Sequence, residues 1–220
     1  MKARTAPQAS ATTRHHTVVT IGELESLTAR ARALAGRGER AILGIAGAPG
    51  GGKSTLASAL VAELGDAAVL VPMDGFHLAQ AELVRQGIRD RMGAPHTFDV
   101  HGYAALLRRL RAADETVYAP AFRREIEEPI AGAIAVPPEV PLVVTEGNYL
   151  LLWDEVRAVL DEAWYVEMEE ATRLEWLIAR HVEFGKTPEE AEAWVMRSDQ
   201  RNTAVVAATR DRADLIVRLG

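Results

Sequence analysis

Three observations predict a doubly wound α/β fold, a parallel sheet with helices on both faces. Short apolar runs alternate with helical patterns along most of the chain. Those runs are continuous rather than alternating, Ala41-Ile-Leu-Gly-Ile-Ala46 and Pro141-Leu-Val-Val-Thr145 among them, as strands buried on both faces require. The first run leads into Gly47-Ala-Pro-Gly-Gly-Gly-Lys53-Ser54, a match to G-x-x-x-x-G-K-[ST], and a helical pattern follows directly.

At 220 residues the chain fits one such domain with an elaboration. Its 48% hydrophobic and 25% charged residues are those of an ordinary globular protein, and a net charge of −6 argues against nucleic acid as a partner. The absence of cysteine excludes a disulfide framework, thiolate zinc and thiol catalysis, and makes a reducing cytoplasm the expected setting. No apolar run approaches the ~20 residues of a membrane span, so no membrane partner is expected. The sequence leaves a homodimer open.

Residues 1–16 carry no acid and no convincing apolar stripe, and a disordered tail over 1–18 is favoured over a transit peptide. A single domain is expected over 19–220. Ile21 to Arg37 reads as a helix with Leu24, Leu27, Ala31 and Leu34 on one stripe, stopped by Gly36 and Gly38. After the first strand, Ser54 to Leu64 reads as a helix with Leu56, Leu60 and Leu64 on one face. Ala67-Ala-Val-Leu-Val-Pro-Met-Asp74 reads as the second strand, ending on a carboxylate, and a short helix reaches about Gln86. An irregular basic stretch holds Arg85, Arg89 and Arg91, and Val100 to Arg111 is an amphipathic helix capped by Asp99. Thr116 to Phe122 and Gly132 to Val136 read as short extended segments in a small insertion at the sheet edge, because Pro120 and Pro129 disfavour central strands. The strand from Pro141 ends on Glu146; a short helix from Trp153 and a strand over Ala163 to Glu167 follow. Two long helices come next, one over Ala171 to Phe184 and one opening on the capping box Thr187-Pro-Glu-Glu190. Ala213 to Leu219 is a last strand.

The glycine loop dictates the chemistry. Gly50, Gly51 and Gly52 let the backbone turn sharply against a phosphate chain, and their N–H groups and the helix N-terminus favour an anion. Lys53 adds a positive charge for the β- and γ-phosphates, and Ser54 a hydroxyl for Mg²⁺. Nucleotide contacts are expected from Gly47, Ala48, Pro49, Gly50, Gly51, Gly52, Lys53, Ser54 and Thr55. Two strand-end carboxylates flank such a loop. Glu146 is assigned with Ser54 to Mg²⁺, and Asp74 to orienting and deprotonating an acceptor hydroxyl, although the two roles could be exchanged. Arg173 and Arg180 share a helix face, as do Arg197 and Arg201, and the helical pair over about 171–202 reads as a lid over the triphosphate. The acceptor pocket is expected to draw on Asp74, His77, Arg91, Phe98, Tyr118 and Phe122. No two histidines have metal-ligand spacing.

From about Ala41 to Leu219 the chain resembles P-loop kinases of the uridine kinase, phosphoribulokinase and bacterial pantothenate kinase type. The resemblance rests on Gly47 to Ser54, Met73-Asp-Gly-Phe76, Gly93-Ala-Pro-His-Thr-Phe-Asp99, Glu146-Gly147 and Thr209-Arg-Asp-Arg-Ala-Asp214. It implies a P-loop NTPase-type sheet with a helical lid, and an ATP-dependent, Mg²⁺-assisted kinase of a small hydroxyl-bearing molecule. It also implies Asp74 as the base, and Arg173 and Arg180 as the lid arginines on phosphate. The Phe-Asp-His-Pro segment of uridine kinases is absent, which favours a sugar or a pantothenate-like acceptor over a nucleoside. A guanine-nucleotide switch would need an Asn/Thr-Lys-x-Asp string, and the chain has none. A binding protein with a dead site is at odds with intact Lys53, Ser54, Asp74 and Glu146.

Overall fold

A computed structural model describes residues 17–20 and 24–219. Strands β1 (Thr17–Thr20), β2 (Ala41–Gly47), β3 (Ala68–Leu70), β6 (Leu142–Gly147), β7 (Glu162–Met168) and β8 (Leu215–Leu219) form one sheet in the order β1-β8-β7-β2-β6-β3. Every neighbouring pair in it is parallel. β1 opens at Thr17, so Thr17 and Val18 of the expected tail pair with β8, and the rest of that tail lies outside the described residues.

The continuous apolar runs have a simple cause. Successive side chains of a strand point to opposite faces, and both faces of this sheet are covered. Ile42, Ala46, Val143 and Ile216 face helix α4 (Val100–Ala112), which contributes Tyr103, Leu106, Leu107 and Leu110. Leu43, Ile45, Val144 and Val217 face α1 (Leu24–Ala35) and α2 (Lys53–Leu64) through Leu27, Ala31, Leu34, Leu56, Leu60 and Leu64. Each buried Val, Leu or Ile among them contributes roughly 1.5–3 kcal/mol by leaving water. The stripes expected for these three helices are the buried ones, except that Leu24, at the start of α1, is only half-buried. α1 is described only from Leu24, residues 21–23 of the expected helix lying outside the description. Asp99 caps α4, its Oδ1 accepting from the Gly102 amide at 2.8 Å.

Three elements differ from expectation. The second strand ends at Leu70 rather than at Asp74. One more ladder bond forms, Val71 N to Val144 O at 2.8 Å, and then Pro72, lacking an N–H, ends the pairing. Asp74 consequently sits in the tight helical turn Met73–Phe76 that follows. The insertion lies beside the turn that follows edge strand β3, but its second segment begins at Glu128 rather than Gly132. β4 (Val117–Arg123) and β5 (Glu128–Val136) form their own antiparallel pair, with a register shift between Ala119 and Ala121 where Pro120 cannot donate. Third, the expected second long helix is interrupted. α6 (Glu170–Glu183) is regular, but α7 (Pro188–Trp194), after its Thr187–Glu190 capping box, runs through a π-helical turn at Val195–Asp199 into α8 (Gln200–Ala207). The short helices α3 (Gln80–Gln86) and α5 (Asp154–Arg157) complete the chain. No helix among the described residues is long and apolar enough to cross a membrane.

Candidate active site

β2 is central, and its C-terminal end delivers the glycine loop to the middle of the sheet. Gly52 adopts φ 81°, and a Cβ there would lie 2.4 Å from Leu219 Cδ1, so only glycine makes this turn beside β8. The Gly51 amide donates to Ala48 O at 3.0 Å, closing the loop. Lys53 lies folded under it, 7% exposed, with Nζ donating to Ala48 O at 2.8 Å. Burial brings its ammonium down to about 8, against the attraction of Glu146 and Asp74.

Glu146 comes from β6, the strand beside β2, where it is in register with Ile45. It is buried, and its Oε1 accepts from Ser54 Oγ at 3.1 Å. Burial raises its pKa, Asp74 adds to that, and Lys53 opposes it. A buried carboxylate held above its ordinary range beside a serine hydroxyl is an all-oxygen donor set short of positive charge. That set fits a hard cation such as Mg²⁺. Asp74 stands opposite, a quarter exposed, with Oδ2 accepting from Arg124 Nη2 at 3.0 Å.

Two cavities adjoin at these residues. The first, about 290 Å³, is lined by Gly50 to Thr55, Trp176, Arg124 and Arg180. The second, about 340 Å³, reaches from Pro49, Lys53, Ser54 and Glu146 to Asp74, His77, Phe98 and Phe122, and on to α7 and α8. Lys53, Ser54, Arg124 and Arg180 belong to both. His77 lies between Phe98 and Phe122, with ring centroids at 4.0 and 4.6 Å, and its Nδ1 is 2.8 Å from Asp74 O. Burial lowers the pKa of this imidazole.

Several expected residues are placed elsewhere. Gly47 and Ala48 line neither cavity; they form the base of the loop. Arg173 lines neither cavity as well and is 2% exposed, because its guanidinium points under the loop. Its Nη1 donates to Pro49 O at 2.9 Å, and its other donors meet Glu170 and Gln200. Arg173 is therefore a brace of the loop rather than a lid arginine. Arg180 does face both cavities, and burial lowers its pKa with Arg124 adding to the effect. Tyr118 is 62% exposed and faces away from the site. Arg91 opens onto a separate surface cleft with Arg197 and Arg201, and Arg89 lines the second cavity in its place.

Sequence reasoning missed Arg124, Trp176 and Asn148, and it left His181 on an apolar stripe. His181 Nε2 is in fact 2.9 Å from Asp199 Oδ2 at the cavity wall, on the π-helical turn. Asn202, buried, donates from Nδ2 to Gly93 O at 3.3 Å and ties α8 to the loop before α4.

A glycine loop between the central strand and its helix, opening into a second pocket past a buried lysine, places the chain among the P-loop small-molecule kinases. No family model matches the chain. A Schizosaccharomyces pombe protein named "putative uridine kinase" is 32% identical over 214 residues, covering 90% of this chain and 91% of its own length. The pantothenate kinase of Shewanella loihica is 26% identical over 215 residues, 81% of this chain and 68% of its own. Among solved structures, a "putative fructose transport system kinase" from Silicibacter sp. superposes with a TM-score of 0.77 at 36% identity, covering 88% of this chain and 98% of that one. The chain belongs to the P-loop kinase family of uridine kinase, phosphoribulokinase and bacterial pantothenate kinase, and it is an ATP-dependent phosphotransferase acting on an alcohol group of a small molecule.

Proposed function

We propose that this kinase transfers the γ-phosphoryl group of ATP to a hydroxyl of a small polar metabolite, a sugar or a pantothenate-like molecule, with Asp74 taking the hydroxyl proton. The observation that carries this reading is the pair of adjoining cavities. They share Lys53, Ser54, Arg124 and Arg180, while Asp74 lines only the second. A triphosphate on the glycine loop then ends where an acceptor in the second cavity begins, with Asp74 on the acceptor side.

The loop amides and Lys53 bind and orient the phosphates, and Arg180 faces charge that develops during transfer. Ser54 and Glu146 are the residues that would hold Mg²⁺, which when bound neutralises charge on the β- and γ-phosphates. Asp74 aligns the acceptor hydroxyl and accepts its proton, which a positioned base makes worth about 10²–10⁴ in rate. The rings of His77, Phe98 and Phe122 form an apolar wall, and Arg89, Asn148 and Asn202 provide polar contacts farther out. Such a mixed wall suits a molecule with several hydroxyl or carbonyl groups. The lack of cysteine suits the cytoplasm as its place of work.

The likeness to the Schizosaccharomyces pombe protein supports one alternative, a nucleoside acceptor. Coupled ADP release against hexoses, pentoses, polyols, pantothenate, uridine and cytidine separates the two. Turnover with a sugar, polyol or pantothenate upholds the proposal. Turnover with uridine or cytidine alone refutes the acceptor class.

A further inference from the structure

Asp74 has a partner that neither the glycine loop nor the lid supplies. Arg124 opens the turn between β4 and β5, and its guanidinium donates to the Asp74 carboxylate at 3.0 Å while lining both cavities. An exposed pair held only by two long side chains would mean little. This one is set by the backbone. A Cβ on Gly75 would lie 2.4 Å from Pro120 O, so only a glycine beside Asp74 lets β4 approach this closely. Two further contacts hold the hairpin to the same segment: Phe122 against the His77 ring, and Glu128, whose carboxylate oxygens both accept from the Gln80 amide at 3.2 Å.

The charges around the boundary of the two cavities are unevenly matched. Arg180 is largely buried there and, among the described residues, forms no ion pair or hydrogen bond. Arg124 is the second guanidinium at that boundary, and its charge disfavours that of Arg180. Arg124 is thus engaged on one side with the base and placed on the other to meet a phosphate.

We propose that Arg124 is a second catalytic arginine, delivered by the hairpin, which pairs with Asp74 at rest and moves to the oxygens of the phosphoryl group in flight. This rests on the function proposed above. In the transfer, the acceptor oxygen forms a bond to the γ-phosphorus, and the bond from that phosphorus to the β–γ bridging oxygen breaks. ADP leaves with the electron pair, and the hydroxyl proton goes to Asp74. Arg124 exchanges no atom; it follows the charge from the carboxylate to the phosphoryl oxygens, so Asp74 loses its cation as it gains a proton.

The test measures binding of Mg·ADP with and without aluminium fluoride, a planar mimic of the phosphoryl group, to the full chain. The wild type should bind ADP with the mimic at least about tenfold tighter than ADP alone. Arg124→Gln should bind ADP within about twofold of wild type and lose that gain, and it should lose it equally in an Asp74→Asn background. Three results overturn the proposal: a gain that survives Arg124→Gln, an equal loss of plain ADP binding, or an effect that vanishes once Asp74 is Asn. The last would make Arg124 a positioning residue for Asp74. A wild type that shows no gain at all refutes the transfer site itself, and the proposal falls with it.

Discussion

Lys53 is held in the fold at a cost, and replacing it with methionine should make the protein more stable and inactive. Its ammonium is buried and its pKa falls from 10.5 to about 8. That difference corresponds to roughly 3 kcal/mol of destabilisation while the lysine is charged. Methionine fills similar space without the charge. It also forfeits the bond to Ala48 O, worth about 1 kcal/mol, and deprives Glu146 of a favourable neighbour. The net expectation at pH 7 is a gain of about 1–2 kcal/mol, or roughly 2–8 °C in Tm for a chain of this size. The sign with pH follows from proton binding. Between pH 8 and 10.5 the unfolded lysine holds a proton that the folded one has released, so wild-type stability rises with pH across that window. The penalty is whole below pH 8 and gone above 10.5. Thermal unfolding by circular dichroism at pH 7 and about pH 10 should show Lys53→Met ahead at the first and the gap closing at the second. A variant that melts below wild type at pH 7, or a gap indifferent to pH, would show that the buried Lys53 charge does not destabilise the fold. kcat should fall about 10²-fold or more in the same variant.

Asp74→Asn should keep ATP affinity and Tm and lose on the order of 10²–10⁴ in kcat, read from steady-state ADP release. Glu146→Gln should show a raised Mg²⁺ requirement that excess metal partly restores; if the two variants exchange these phenotypes, the base and the metal ligand have been exchanged. Arg173→Ala removes the donor to Pro49 O and should lower Tm by several degrees, for about 2 kcal/mol, and raise the KM for ATP. Arg180→Ala should leave Tm in place and lower kcat, because that cation forms no hydrogen bond or ion pair among the described residues.

The parts of this site that follow from local chemistry were legible in the sequence. The strand–loop–helix around Lys53, the Asp99 cap, the Thr187 capping box and the double-sided burial of β2 and β6 each depend on neighbours in the chain. What was missed depends on register and on tertiary packing. Tyr118 and Phe122 are an even number of residues apart and on a regular strand would share a face. The register shift at Pro120 separates them, sending Tyr118 to solvent and Phe122 to the cavity. Arg89 and Arg91 sit in one tight turn at three residues per turn, so two positions apart they point in different directions. Arg173 and Arg180 do share a face of α6, but one lies beneath the glycine loop and the other beside the cavities, a distinction of depth that periodicity does not carry. Arg124 had a faint signal, the Arg123-Arg124 pair at a turn between two extended segments. Its importance comes from Gly75 admitting the hairpin, a contact between residues far apart in sequence.

In the proposed reaction the γ-phosphoryl group passes to an organic hydroxyl across the boundary of the two cavities. The most direct measurement follows the label of γ-³²P-ATP in the presence and absence of the acceptor panel. Label should appear in an organic product in step with ADP and only with an acceptor, and Asp74→Asn should slow that transfer by about the same 10²–10⁴ as its kcat. Label released as inorganic phosphate at the same rate with and without acceptors would contradict it.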